Sequence, residues 1–395
     1  MECQQVSGMY TDDAGYGYDL QTKREEGSNK PFFFSVAVPD GNYKVTVRIG
    51  SAAKAGVTTV RGESRRLFIE NLPTKKGEFK ECTFVINKRD TRIYPDGESV
   101  RIKPREKNKL NWDDKLTIEF NGDAPAVSEI LIEKVNDAIT VFLCGNSTVV
   151  DQDNEPWASW GQMIPRFFNA PVSFANYAES GESANTFIAA GRLKKLLTQM
   201  KAGDYLFVEF GHNDQKQKGE GKGAYTSFTE SLRTFIRETR ARGAQPVFVT
   251  PTQRRSFDEK GRIKDTHEDY PDAMRKLAQE ENVPLVDLHA MTRTLYESLG
   301  VENSKKAFVH YPPDTWPGQT KALEDNTHFN PYGAYQIAKC VITGLNNLSK
   351  QGFQLDFMQY LSDDYMPYSP SFPDPVKSFK WNPSPFAEIE KPDGN

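Results

Sequence analysis

The sequence is read as an α/β protein: a parallel sheet with helices on both faces, preceded by an all-β sandwich of jelly-roll type. Two changes of pattern along the 395 residues carry that reading. Up to about residue 135, apolar residues recur with period two and no convincing amphipathic helix breaks the series. From Ile139 onward, short apolar runs alternate with longer stretches of helical spacing, which is the grammar of strand–helix–strand units. Length agrees, since roughly 150 residues per domain suggests two or three units. The expected division is 1–135, 136–348 and 349–395.

In the first part, Lys44–Ile49 and Leu116–Phe120 alternate polar with apolar residues, and Pro31–Val36 and Thr83–Ile86 are further strand candidates. Asp40-Gly41-Asn42 and Asn121-Gly122-Asp123 beside them are read as turns. In the second part the strand candidates are Ile139–Cys144, Val172–Tyr177, Tyr205–Phe210, Pro246–Thr250 and Pro284–Leu288. Helical spacing is expected over Ala184–Met200, Thr226–Arg242 and Asp272–Glu281. Right-handed crossovers then give a parallel sheet, with the ligand site at the carboxyl ends of its strands. The last stretch, Gln351–Asn395, is rich in proline and aromatic residues and is read as an extended strap packed over the body.

Composition excludes several classes. Hydrophobic residues at 37% and charged residues at 26% supply real cores and argue against disorder. A net charge of −4 gives no basic field for nucleic acid, and no apolar run is long enough to span a bilayer. Cys3, Cys82, Cys144 and Cys340 lie far apart, with no Cys/His cluster. They are read as buried thiols, and no metal or other cofactor is expected. The start, Met1-Glu2-Cys3-Gln4-Gln5, has neither a charged n-region nor an apolar stretch. The expectation is a periplasmic or secreted protein whose leader is absent from this chain, with the cytosol as the alternative.

The chemistry is sought at the strand ends. The first parallel strand ends in Cys144-Gly145-Asn146-Ser147-Thr148, where a serine can point into the crevice. A serine hydroxyl is a weak nucleophile until a base takes its proton. The base candidate is His328 in Asp325-Asn326-Thr327-His328, on a loop ahead of a helix opened by Asn330 and Pro331. A carboxylate three residues before a histidine can hold Nδ1–H and leave Nε2 free. Gly181 can expose its backbone N–H after the second strand, and Asn213, in Gly211-His212-Asn213, can donate from its amide after the third. With the Ser147 N–H, three donors converge on one oxyanion.

Gly145-Asn146-Ser147, Gly181, Gly211-x-Asn213 and Asp325-x-x-His328 together resemble the four ordered blocks of SGNH (GDSL-type) hydrolases. The wording GNSTVVDQ, AESGESANTF, VEFGHNDQ and DNTHFNPYGA looks most like the rhamnogalacturonan acetylesterases of carbohydrate esterase family 12, over about residues 138–348. The resemblance implies a three-layer, flavodoxin-like αβα fold. It implies Ser147 as nucleophile, Asp325 and His328 as its triad partners, and an oxyanion hole of the Ser147 N–H, the Gly181 N–H and Asn213. It also implies O-acetyl removal from an acetylated pectic polysaccharide or oligosaccharide. A xylan or sialate acetylesterase, a pectin methylesterase or a non-catalytic polysaccharide-binding protein are the alternatives. Block one usually reads Gly-Asp-Ser, and Asn146 here replaces the aspartate. The first part is similar in type to carbohydrate-binding jelly rolls.

Three more residues are candidates for substrate contact. Arg254 and Arg255 follow the fourth strand on the catalytic rim and could hold a uronate carboxylate bidentately. His267 could line the same pocket, although a surface histidine fits as well.

Overall fold

The computed structural model describes residues 8–385 and 391–393. Its first part contains β1 (Tyr16–Asp19), β2 (Phe32–Ala37), β3 (Gly41–Gly50), β4 (Gly56–Gly62), β5 (Arg66–Thr74) and β6 (Phe79–Lys88). A short hairpin of β7 (Arg92–Ile93) and β8 (Glu98–Ser99) follows, then β9 (Lys115–Asp123) and β10 (Val127–Val135). Five strands pair in the order β1-β2-β9-β4-β5, while β10, β3 and β6 pair separately, all antiparallel. Period-two patterning explains the packing. Val45, Val47 and Ile49 of β3 share one core with Phe32, Phe34 and Val36 of β2 and with Leu116, Ile118 and Phe120 of β9.

The second part supplies five parallel strands: β11 (Ile139–Gly145), β12 (Val172–Asn176), β13 (Tyr205–Glu209), β14 (Gln245–Val249) and β15 (Leu285–Val286). Their order is β12-β11-β13-β14-β15, the 2-1-3-4-5 arrangement of a doubly wound sheet. The helices are α1 (Trp160–Met163), α2 (Ala184–Ala189), α3 (Arg192–Leu197), α4 (Thr229–Arg240), α5 (Tyr270–Glu280), α6 (Leu288–Asn303) and α7 (Pro331–Lys350). Alternation along each strand sends its side chains to two cores. Val141 and Leu143 join residues of α1, α6 and α7. Phe142 and Cys144 join residues of α2 to α5. The result is three layers.

The all-β part is joined to the parallel sheet through one strand pair. Its strand β6 pairs in parallel with β12, Val85 opposite Ser173 and Ile86 opposite Phe174, so that one eight-stranded sheet runs through both parts. The contact covers what would otherwise be an exposed edge of β6.

Three smaller expectations also change. The helix expected over Ala184–Met200 is two, because Gly191 sits in the left-handed region at φ +80° between α2 and α3. Asn121-Gly122-Asp123 is the end of β9 rather than a turn, and the reversal comes at Ala124, φ 50°. The helix expected from Asp272 begins at Tyr270, with Pro271 in its first turn.

The final stretch does pack over the body. Trp381 Nε1 donates to Glu155 at 3.0 Å, and the Arg61 guanidinium lies 3.9 Å from the Trp381 ring centroid. Phe357 is buried in the main core, whereas Phe372 stands exposed. Cys82, Cys144 and Cys340 are free thiols, and Cys3 lies outside the described residues. Among the described residues, no helix is long and apolar enough to cross a membrane.

Candidate active site

Strands β12, β11 and β13 are neighbours, so the loops at their carboxyl ends meet where the strand order reverses. After β11 the chain turns at once, and the N–H groups of Val149 and Val150 both bond the Asn146 carbonyl at 3.0 Å. Asn146 Oδ1 accepts from the Thr148 N–H at 3.0 Å, and Gln152 Nε2 holds the Ser147 carbonyl at 2.7 Å. These bonds hold the turn that carries Ser147.

His328 lies 2.8 Å from Ser147 Oγ through Nε2 and 2.8 Å from Asp325 Oδ2 through Nδ1. A Nδ1–H donated to the carboxylate makes Nε2 the acceptor of the serine proton. Asp325 Oδ1 accepts from the N–H groups of Thr327 and His328 at 2.9 and 3.0 Å. Burial works to raise the Asp325 carboxyl, but the bond and charge of His328 and those two N–H groups outweigh it. The carboxyl is held well below its ordinary value. The three side chains are almost wholly covered, Ser147 at 4% exposure.

The loop expected to carry Asp325 and His328 is instead a strand. β16 (Phe308–Tyr311) pairs antiparallel with β17 (Leu323–Phe329), and the register shifts between Phe308 and His310. His310 Nε2 and Arg255 Nη1 each reach Asn326 Oδ1 at 2.9 Å, bracing the residue between the two triad positions. Downstream, Asn330 caps α7 by accepting from the Gly333 N–H at 3.0 Å, as its place before Pro331 suggests.

The donors of the other two loops lie alongside. Gly181 sits at φ +79°, which an L side chain tolerates poorly. Among the described residues neither its backbone N–H nor that of Ser147 has a backbone acceptor. Asn213 Nδ2 gives one N–H to the Glu182 carbonyl at 2.9 Å, which fixes the amide plane and its second N–H. Asp214 ties the two loops together by accepting from the Gly211 N–H at 2.9 Å and the Ala184 N–H at 2.8 Å. Burial pushes its carboxyl up to about 6. Asn176, at the end of β12, donates to the Val149 carbonyl at 2.6 Å and to Asp151 at 2.8 Å, anchoring the serine loop. Sequence reasoning missed both of these residues, because Ala184, Val149 and Asp151, which they join to their own loops, are distant in sequence.

The candidate substrate residues each have protein partners. Arg254 donates to the His212 carbonyl at 3.2 Å and to Thr266 Oγ1 at 3.1 Å. Arg255 donates to Ser304 at 3.0 Å and to Asn326, as well as to the Val301 carbonyl. Each guanidinium is thus braced by protein partners at the rim. His267 is 0% exposed and its Nε2 meets His212 Nδ1 at 2.9 Å, behind the Asn213 loop instead of lining the pocket. Burial pushes both imidazoles well below their ordinary range, so they are neutral. Asp265, His267 and His289 offer ligand atoms within 4.8 Å of one another, with His289 Nε2 at 2.8 Å from Asp265 Oδ2. The three are scattered along the sequence and converge only in the fold.

A doubly wound α/β sheet that gathers a serine, a histidine and a carboxylate at its reversal point defines a serine hydrolase. Residues 142–334 match the GDSL-like Lipase/Acylhydrolase family. Over 212 residues the chain is 46% identical to the rhamnogalacturonan acetylesterase RhgT of Bacillus subtilis, covering 53% of this chain and 90% of that one. The uncharacterized esterase YxiM of the same organism is 26% identical over 325 residues, 81% of this chain and 75% of that one. The crystal structure of YxiM superposes with a TM-score of 0.51 at 24% identity, covering 87% of this chain and 94% of that chain. The chain belongs to the GDSL-like lipase/acylhydrolase family and is an esterase.

Proposed function

We propose that the protein removes O-acetyl groups from rhamnogalacturonan by a serine acyl-enzyme mechanism. The observation that carries the reading is His328 suspended between Ser147 Oγ and Asp325 Oδ2, at 2.8 Å on each side. Identity of 46% to a named rhamnogalacturonan acetylesterase supports the substrate. Ser147 Oγ attacks the acetyl carbonyl carbon while His328 Nε2 takes the hydroxyl proton. Asp325 steadies the imidazolium, and the N–H groups of Ser147 and Gly181 with the Asn213 amide hold the oxyanion. Collapse of the tetrahedral intermediate breaks the bond to the sugar oxygen, which receives the proton from His328. Water, deprotonated by His328, then releases acetate by the same route in reverse.

The β-strands before residue 135 are read as a jelly roll that helps to hold the polysaccharide, in the periplasm or outside the cell. The test is acetate release from acetylated rhamnogalacturonan by the wild type, Ser147→Ala and His328→Ala. Each variant is expected to lose at least about a thousandfold in rate while its circular dichroism stays native. A natively folded variant that keeps near-wild-type turnover overturns the assignment.

A further inference from the structure

A polymer that carries uronate groups needs a cation near the reacting ester, and Arg254 and Arg255 are each held by protein partners. Two other cations reach the oxyanion side of the site from the all-β part. Lys103 and Arg105 flank Pro104 on a single turn that packs against the Gly181 loop. Lys103 Nζ donates to the Ser180 carbonyl and lies 3.3 Å from Glu182 Oε1. Arg105 makes only long ion pairs: Nε is 3.8 Å from Glu179 Oε1, and Nη1 is 3.7 Å from Asp393 Oδ1. Its Nε and Nη1 are buried and, among the described residues, donate no hydrogen bond. Buried guanidinium donors without acceptors are costly unless a ligand satisfies them.

Neighbouring carboxylates meet Arg105 only at those distances. Glu179 is met by Lys109 Nζ at 3.2 Å, and Lys109 also reaches Asp153 at 3.1 Å. The group that does approach comes from the C-terminal strap. Asp393 places one carboxylate oxygen 3.7 Å from Arg105 and the other 3.9 Å from Lys103. Its Cβ lies so close to Gly181 that a side-chain carbon built there would be 3.0 Å away. Two residues earlier, Lys391 Nζ stands 3.9 Å from Asp325 Oδ2. The segment Lys391–Asp393 therefore crosses the mouth of the triad with a carboxylate resting between two cations.

We propose that Lys103 and Arg105 form the seat for a substrate uronate carboxylate beside the acetylated sugar, and that Asp393 occupies it until the polymer displaces that side chain. The proposal rests on the pectic-acetylesterase reading and names the contact that would select an acidic glycan. Arginine suits the role because its planar fork bonds a carboxylate through two N–H groups.

Deacetylated rhamnogalacturonan oligosaccharide and its carboxyl-reduced, neutral counterpart are compared as inhibitors of p-nitrophenyl acetate turnover by the full chain. The acidic form is expected to inhibit the wild type about tenfold or more tightly than the neutral form, and Arg105→Gln to shrink that ratio to about threefold or less. Comparing two inhibitors within one variant cancels any general damage to the site. Asp393→Asn, a change on the exposed segment, is expected to tighten inhibition by the acidic form several-fold. Equal inhibition of the wild type by both forms overturns the proposal. So does an acidic preference that survives Arg105→Gln, or an Asp393→Asn variant whose inhibition is unchanged. Failure of the underlying reading shows separately, as a wild type that hydrolyses p-nitrophenyl acetate but frees no acetate from acetylated rhamnogalacturonan.

Discussion

Glu209, the last residue of β13, lies beneath the nucleophile loop and is fully buried. Its Oε1 is 2.6 Å from Thr148 Oγ1 and its Oε2 is 2.6 Å from Trp160 Nε1. Burial, only partly offset by those two bonds, pushes its carboxyl from 4.5 up to about 7. A carboxyl raised in the fold and ordinary in the unfolded chain favours folding while it is protonated. Its contribution is fully present below pH 4.5 and is lost as pH rises through about 7. The shift corresponds to about 3 kcal/mol, at about 1.4 kcal/mol per unit. Glu209→Gln keeps the shape and a neutral, hydrogen-bonding end but cannot ionise. Urea unfolding of wild type and variant at matched pH values isolates the group, because Glu63, Asp113 and Asp214, also raised by burial, remain in both. The stability of wild type minus that of Glu209→Gln is expected to fall by about 3 kcal/mol between pH 4.5 and pH 8. A difference that stays flat across that range refutes the reasoning.

Other expectations follow from single contacts. Arg254→Ala removes the donors holding the His212 carbonyl and Thr266, so kcat/KM is expected to drop about tenfold on acetylated rhamnogalacturonan and on p-nitrophenyl acetate alike. A loss confined to the polysaccharide would place Arg254 on the substrate. Gly181→Ala puts a side chain at φ +79°, with Lys103 Nζ and Asp393 Cβ each 3.0 Å from the new carbon. It is expected to cost about 1–2 kcal/mol of stability and to displace the oxyanion N–H, lowering kcat by about a hundredfold. Retention of full kcat would remove Gly181 from the oxyanion site. Arg66→Ala removes the ion-pair partner of Asp151, whose carboxylate lies 3.0 Å from Arg66 Nε with both side chains 0% exposed. Thermal unfolding should show a loss of about 3–5 kcal/mol, and a loss below about 1 would mean the pair is not holding the two parts together.

What could be read from the sequence depended on whether a residue's partners were local or set by strand order. Ser147, Gly181 and Asn213 each follow a strand, and the 2-1-3-4-5 order brings those strand ends side by side. Asp325 and His328 are three residues apart, so the carboxylate–imidazole bond was legible too, although β17 carries it instead of a loop. Arg254, Arg255 and His267 show the limit. Their place on the rim followed from the strand count, but their direction did not. Each turns to a partner supplied by packing: the His212 carbonyl, Asn326, or the His212 ring. Asp265, His267 and His289 likewise meet only after β14, α5 and α6 have packed.

The junction between the two parts was the least legible feature, and it bears most directly on function. Pairing of β6 with β12 places the all-β part beside the strand whose end carries Gly181. The turn ahead of β5 then sends buried arginines into the catalytic half. Arg65 donates to the Trp157 carbonyl at 3.0 Å and pairs with Glu155 at 3.1 Å. Arg66 donates to the Phe174 carbonyl at 3.1 Å and pairs with Asp151. Asp151 in turn accepts from Asn176, the residue that anchors the nucleophile loop to β12. Charges buried this completely must be paired to be tolerated. Asp151 and Glu155 of the catalytic half thus lie buried opposite arginines that the all-β part supplies. The same part delivers Lys103 and Arg105 to the rim of the Gly181 loop. The stretch 46% identical to RhgT spans 53% of this chain, and the all-β part adds two cations beside its Gly181 loop.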